Sequence, residues 1–383
     1  MDLDGLLARG RGAGALAALE RGPACRDSVL RQVIEDPRWD RQVESRDEYY
    51  ASLLLALGSD VGRLVEVLER SGPDEAWLVR GVLLQLAIRD HLGALAALVQ
   101  LVRRDPDDDL LREFECYVGP DRAVELAALA GRRYAPDLRR APVRRRETAD
   151  ALVRLDILVA LVRGELEAPM QRRVHAARRL GSLDEPELLD EAEARLRSIS
   201  DDDPNKLWVT SPWRRPWMVY LESLPAARTL ARARVWFDLP RPLRLVGEHV
   251  LMRHAEPCDR ARLEHACALA WREHDMYRLC ATLEALARVA TLDMLPLLLE
   301  VHDAVEYARA RERALMALFE LREHPEAHVR LVEGLWDCEA STRALACEGV
   351  RVESATARLH ELASDPWQDD EVREAARLAL EKV

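Results

Sequence analysis

The residues best suited to chemistry lie between positions 201 and 218, Asp-Asp-Asp-Pro-Asn-Lys-Leu-Trp-Val-Thr-Ser-Pro-Trp-Arg-Arg-Pro-Trp-Met. Three of the nine tryptophans, Trp208, Trp213 and Trp217, fall within ten residues there, with Arg214 and Arg215 between them. Indole and guanidinium together make a surface for stacking, cation–π contact and partner binding. Pro212 and Pro216 forbid a regular helix across the stretch. The same composition also suits an insertion between repeats that folds its tryptophans back over the helices. The expected partner-binding set is Trp208, Trp213, Arg214, Arg215 and Trp217.

A second set is basic. Arg132, Arg133, Arg139, Arg140, Arg144, Arg145 and Arg146 share a short span with one acid, Asp137. Such a run could meet phosphates or an acidic protein. A solvated linker leading into the next helix accounts for it equally well. A third set collects His249, His254, Cys258, His265, Cys267, His274 and Cys280. Metal ligands on a helix recur at i and i+4, or in a tight knuckle. Here the spacings are five and two, and no His-Glu-x-x-His occurs, so neither metal nor cofactor is expected. Glycine-rich phosphate loops and nucleophile elbows are absent too, and no catalytic residue is proposed.

The elements that must position these residues are helices. Leu, Ala, Arg and Glu dominate, Phe occurs three times, and strand signals are nearly missing. All but two of the 56 basic residues are arginine, Lys206 and Lys382 being the exceptions. That bias reads as compositional, which discounts individual arginines. The net charge of −12 favours a soluble chain and weighs against general binding to nucleic acid or anionic membrane. Seven scattered cysteines without a Cys-x-x-Cys fit a reducing cytoplasm. No leader pattern opens the sequence, and no apolar run reaches the length of a membrane span.

Helical pairs follow from period and punctuation. Val372, Ala375, Ala376, Ala379 and Leu380 form one apolar stripe, with Asp369, Asp370 and Glu371 at its positive end. Thirty residues earlier stand Leu345 and Ala346, and thirty before those Leu315 and Met316; Val329 and Val332 match Leu359 and Leu362 in the partner helices. The arginines in step with them, Arg313, Arg343 and Arg373, prove little, because about one such triplet arises by chance in so arginine-rich a chain. Further pairs are 48–57 with 60–69, 75–89 with 91–103, and 171–180 with 186–197. In the last, Gly181 is expected as the C-terminal cap and Pro186 as an early-helix proline.

Glu339-Ala-Ser-Thr-Arg-Ala-Leu-Ala and Asp369-Asp-Glu-Val-Arg-Glu-Ala-Ala-Arg-Leu-Ala-Leu resemble the short HEAT-like repeats of bacteria, the type also found among phycobilin-lyase relatives. An acid stands four residues before the arginine in both, whereas position 309 is arginine and departs from the pattern. The resemblance is best over 275–383, weaker over 46–200, and lost over 1–45 and 200–240. It implies an all-α solenoid of about ten antiparallel hairpins, with repeats over 1–200, the Trp/Arg loop at 201–220, and repeats over 221–383. Function follows as a non-enzymatic scaffold or adaptor that holds a protein partner on its concave face. The competing reading is a DNA-binding HEAT protein of the alkylpurine glycosylase type, its groove lined by Arg144 to Arg146 with Trp213 or Trp217. Deoxyhypusine hydroxylases, metalloenzymes of HEAT fold, depend on several His-Glu pairs; this chain has one, His360-Glu361, so that identification is set aside.

Overall fold

A computed structural model of the chain describes residues 2–58, 61–71, 76–104, 109–135, 155–198 and 214–382, with the backbone alone at Val352 and Ser354. Among them are twenty-three α-helices, a few 3-10 turns and no strand. Helices adjacent in sequence pack as neighbouring pairs, so the protein is an all-α solenoid of helical hairpins, as expected. None is long and apolar enough to cross a membrane.

The expected helices are present, but of the pairs expected over 48–197 only Trp77–Ile88 and Leu92–Arg104 pack closely on each other; Asp47–Leu57 packs mainly on Trp77–Ile88, and Met170–Ser182 on Arg215–Ser223. Asp47–Leu57 precedes Gly62–Arg70, Trp77–Ile88 precedes Leu92–Arg104, and Met170–Ser182 precedes Leu189–Arg197. Gly58 ends the first of these in the left-handed conformation, where a side chain would be strained. Gly181 is different from expectation. It lies inside its helix, and a Cβ there would come within 2.5 Å of Ser223; Asp184 instead takes the left-handed turn beyond. The glycine serves a close helix–helix approach, not a cap.

The thirty-residue step also holds only in part. Leu315, Ala346, Ala376, Leu359 and Leu362 are core, whereas Val329 is exposed. In its helix, Pro325–Gly334, the buried positions are Ala327, Leu331, Glu333 and Gly334. Glu333 there meets Arg11, a residue far away in sequence.

The chain forms two compact units, Met1–Val143 with Leu298–Val383, and Arg144–Leu297. Helix Gly12–Arg21 packs on Pro325–Gly334, so the first helices belong with the last. Contact is close enough that a Cβ on Gly12 would fall 1.9 Å from the Glu333 carbonyl oxygen. Leu7, Val29, Val33, Tyr50, Leu54, Val82, Leu83 and Phe114 form the first unit's core together with Ala308 and Cys338. The second unit buries Val162, Ala177, Leu180, Tyr220, Trp236 and Val246. Apolar burial at about 25 cal/mol per Å² holds both cores.

Candidate functional site

Within the first unit, helices from both ends of the sequence bring charged side chains inward. Arg11 donates to Glu333 through Nε and Nη2, each at 2.8 Å, and to Asp303 through Nη1 (carbonyl, 2.7 Å) and Nη2 (carboxylate, 3.1 Å). Arg46, fully buried, pairs with Glu44 and donates to the Ala8 carbonyl. Glu44 in turn accepts from the Ala308 backbone amide at 2.6 Å. Arg311, also fully buried, meets Asp337 at 2.8 Å. Burial alone would pull the Arg311 guanidinium down, yet Asp337 outweighs it and raises its pKa; Asp337 is held below the usual range by the same contact. Each buried charge therefore has an opposite charge in contact, the condition for keeping it ionised inside protein.

Beside this network lies a cleft of about 290 Å³, at the small end of ligand pockets. Its floor is Glu48, at the start of helix Asp47–Leu57. Glu48 accepts from Arg343 Nη2 and from Gln368 Nε2, both at 2.7 Å, and pairs with Arg89 at 3.4 Å. Arg343 also donates to the Asp337 and Cys338 carbonyls and to Gln368 Oε1, so four of its five N–H donors are bonded. These bonds tie the floor together. One wall is apolar, from Ala15, Leu19, Leu53 and Ala56. The other carries Trp336, Arg358 and Glu361. The Arg358 guanidinium lies 5.1 Å from the Trp336 ring centre and is paired with Glu361 at 3.1 Å. Leu19 and Glu361 are exposed at the mouth, the Glu361 side chain by 65%.

Glu48, Trp336 and Arg358 carried no signal of their own in the sequence, and Glu361 was noted only as half of the single His-Glu pair. Arg343 did, through the acid four residues before it. That acid, Glu339, is buried at the start of helix Ala340–Gly349, and burial pushes it up to about 7 despite Arg309 nearby. Treating all arginines as compositional is corrected here: Arg11, Arg46, Arg311 and Arg343 are buried and bonded.

Of the expected partner-binding set, Trp208 and Trp213 lie outside the described residues, as do Arg139, Arg140, Arg144, Arg145 and Arg146. Pro216 stands in the first turn of helix Arg215–Ser223, where proline is tolerated, so the helix begins inside the stretch that was expected to be irregular. Trp217 is 3% exposed and Arg214 is buried; the Arg195 guanidinium lies 4.8 Å from the Trp217 ring centre. Trp217 is thus a core residue of the second unit and has no face to offer a partner. Arg215 is half-buried.

The His/Cys set does not converge. Cys267 is buried, and burial pushes its thiol up to about 12, while His254, His265 and His274 are exposed on separate turns. Glu256, Cys258 and Asp259 do lie within 4.8 Å of one another. The cation among them is Arg234, with Nε 2.7 Å from Asp259 and Nη2 2.6 Å from Glu256.

No protein-family model matches the sequence, and no curated protein matches it. Among solved structures the chain is similar to human deoxyhypusine hydroxylase in complex with glycerol, with 17% identity, covering 86% of this chain and 98% of that one, at a TM-score of 0.30. That neighbour is an enzyme, which corrects the expectation of a non-enzymatic chain. At such a TM-score the likeness brings neither reaction, substrate nor metal to this protein.

Proposed function

We propose that the protein is a HEAT-like repeat protein that holds a protein partner, anchored at the cleft of the first unit. The observation that carries this reading is the pairing of a rigid, internally bonded floor with a mouth that is apolar on one side and carries Trp336, Arg358 and Glu361 on the other. A partner side chain can bury apolar surface against Leu19, Leu53 and Ala56 while its polar end meets the ion pair, which is how interface anchors gain most of their binding energy. The floor needs no rearrangement, so little affinity is lost to ordering. Trp208 and Trp213 offer a second contact in this reading. Free cysteines throughout the described residues suit a cytoplasmic setting.

Hydrogen exchange on the complex with a partner purified from the source cell tests the site. Protection should appear at 12–21, 47–57 and 352–364, and Leu19→Asp should weaken binding at least tenfold with helicity unchanged. Protection confined to other helices, or full affinity in Leu19→Asp, removes the cleft as the anchor.

A further inference from the structure

The second unit contains a group of arginines gathered around one buried acid without a direct hydrogen bond to it. Several arginines of the chain do meet an acid through Nε at hydrogen-bond distance: Arg11 to Glu333 at 2.8 Å, Arg38 to Asp36 at 2.7 Å, Arg311 to Asp337 at 2.8 Å, and Arg234 to Asp259 at 2.7 Å. Around Glu248 no such bond forms. Glu248 lies on helix Leu243–His254, only 5% exposed. Its Oε1 stands 3.6 Å from Arg244 Nε and 3.5 Å from Arg278 Nε, too far for a hydrogen bond to either. Oε1 and both Nε atoms are buried without a hydrogen-bond partner, and Arg241 Nε beside them is in the same condition.

Unmet buried donors cost about 1–3 kcal/mol each, and native proteins rarely leave several together unless something else fills the place. Here three donors and one acceptor are unmet at a single spot, supplied by residue 241, by helix Leu243–His254 and by helix Met276–Ala287. The charge count is also open. Besides Glu248, the acid facing the group is Asp275, 3.9 Å from Arg241, and Asp275 already caps its helix by accepting from the Arg278 amide. Three guanidiniums thus face two carboxylates. Burial pushes Glu248 up to about 7 even among these arginines, so its charge does not fully offset theirs. The rest of each guanidinium-bearing side chain is partly exposed, Arg241, Arg244 and Arg278 by 35%, 22% and 15%. Phe237 backs Arg278, with the guanidinium 5.8 Å from its ring centre, and limits how far that side chain can swing.

We infer that Arg241, Arg244 and Arg278 form a binding site for a tetrahedral oxyanion, a phosphate group either free or carried on a larger ligand. Guanidinium forks match phosphate oxygens, and donors arriving from three separate elements suit a tetrahedral anion better than a planar carboxylate. Glu248 sets the orientation of two of the arginines and, when protonated, donates to the anion.

Calorimetric titration of inorganic phosphate into the full chain at constant ionic strength is the test, with acetate and chloride as comparisons. Saturable phosphate binding is expected, weakened at least tenfold in Arg244→Gln and in Arg278→Gln and unchanged in Arg228→Gln on the exposed surface. Glu248→Gln keeps the fold's shape while removing the competing charge, and should tighten phosphate binding severalfold; it decides the matter if the arginine variants do not fold. A phenyl phosphate that binds at least as well as inorganic phosphate would indicate a carried group, and weaker binding a free one, both within the assignment. Absence of saturable binding, equal binding in the arginine variants, preference for acetate, or weaker binding in Glu248→Gln would each overturn it.

Discussion

The two units differ in how far their arginines reach. In the second, arginines pair with nearby helices, as Arg228 does with Asp184, 44 positions away, and Arg234 with Asp259, 25 positions away. The first has such local pairs too, among them the buried Arg311 with Asp337, 26 positions away, but two buried arginines also reach across most of the sequence: Arg343 to Glu48 spans 295 positions and Arg11 to Glu333 spans 322. Local pairs reinforce a stack that hydrophobic faces already define. Distant pairs select which segments come together at all, and a mispaired alternative would leave charges buried without partners.

The sharpest way to break that contrast is Arg311→Ala. It leaves Asp337 buried and unpaired, and the first unit should lose roughly 3–5 kcal/mol in denaturant unfolding. Combining Arg311→Met with Asp337→Leu should restore most of the loss, since an apolar pair of similar volume avoids desolvating charge. Full loss in the double variant would mean that the charges themselves hold the unit. Next in size is Arg11→Ala, which removes charge-assisted bonds to Glu333 and Asp303; about 1.5–3 kcal/mol is expected, read by the same unfolding curves.

A smaller effect concerns pH and should blur the contrast. Burial pushes Glu339 of the first unit and Glu248 of the second up to about 7. A raised carboxyl favours the folded state when protonated. Its contribution is therefore present below its ordinary pKa near 4.5 and is lost as pH climbs toward 7. Stability should decline over that window by at most about 1.4 kcal/mol per pH unit for each group. Glu339→Gln should flatten only the first unit's share, and an unchanged slope in that variant would remove Glu339 as the cause. Asp303, held low against burial by His302 and Arg330, works in the other direction and loses its contribution as pH falls. The smallest effect is expected from Arg228→Ala. Its pair with Asp184 is about half exposed on both sides, and the change should stay under about 1 kcal/mol by thermal unfolding.

What the sequence made legible follows the same division. Helix pairs such as Trp77–Ile88 with Leu92–Arg104 could be read because period and punctuation are local signals. The apolar stripe of the last helix could be read for that reason too. The union of the first helices with the last could not, because Gly12 gives no sign that it must admit the Glu333 backbone. Nor could Val329 be told from a core valine, since the strict repeat places it in step with Leu359 while its helix buries Ala327 and Leu331 instead. Trp217 misled because a tryptophan beside arginines looks alike whether it is buried or exposed. Glu48 and Trp336 went unnoticed because a cleft is assembled by tertiary structure from residues ordinary in isolation. Glu339 showed only as an acid four residues before an arginine, with no hint of its burial, and Glu248 gave no signal at all.

The contact between Gly12–Arg21 and Pro325–Gly334 also sets an order of events during synthesis. At roughly 5–20 residues per second, the ribosome needs about 16–64 s to make the 322 positions that separate Arg11 from Glu333. For that time the face of the early helices destined for Glu333 has no partner, while the hairpins of the second unit can close as they emerge. Until Pro325–Gly334 is made, Arg11 cannot reach Glu333, so the first unit closes only near the end of synthesis.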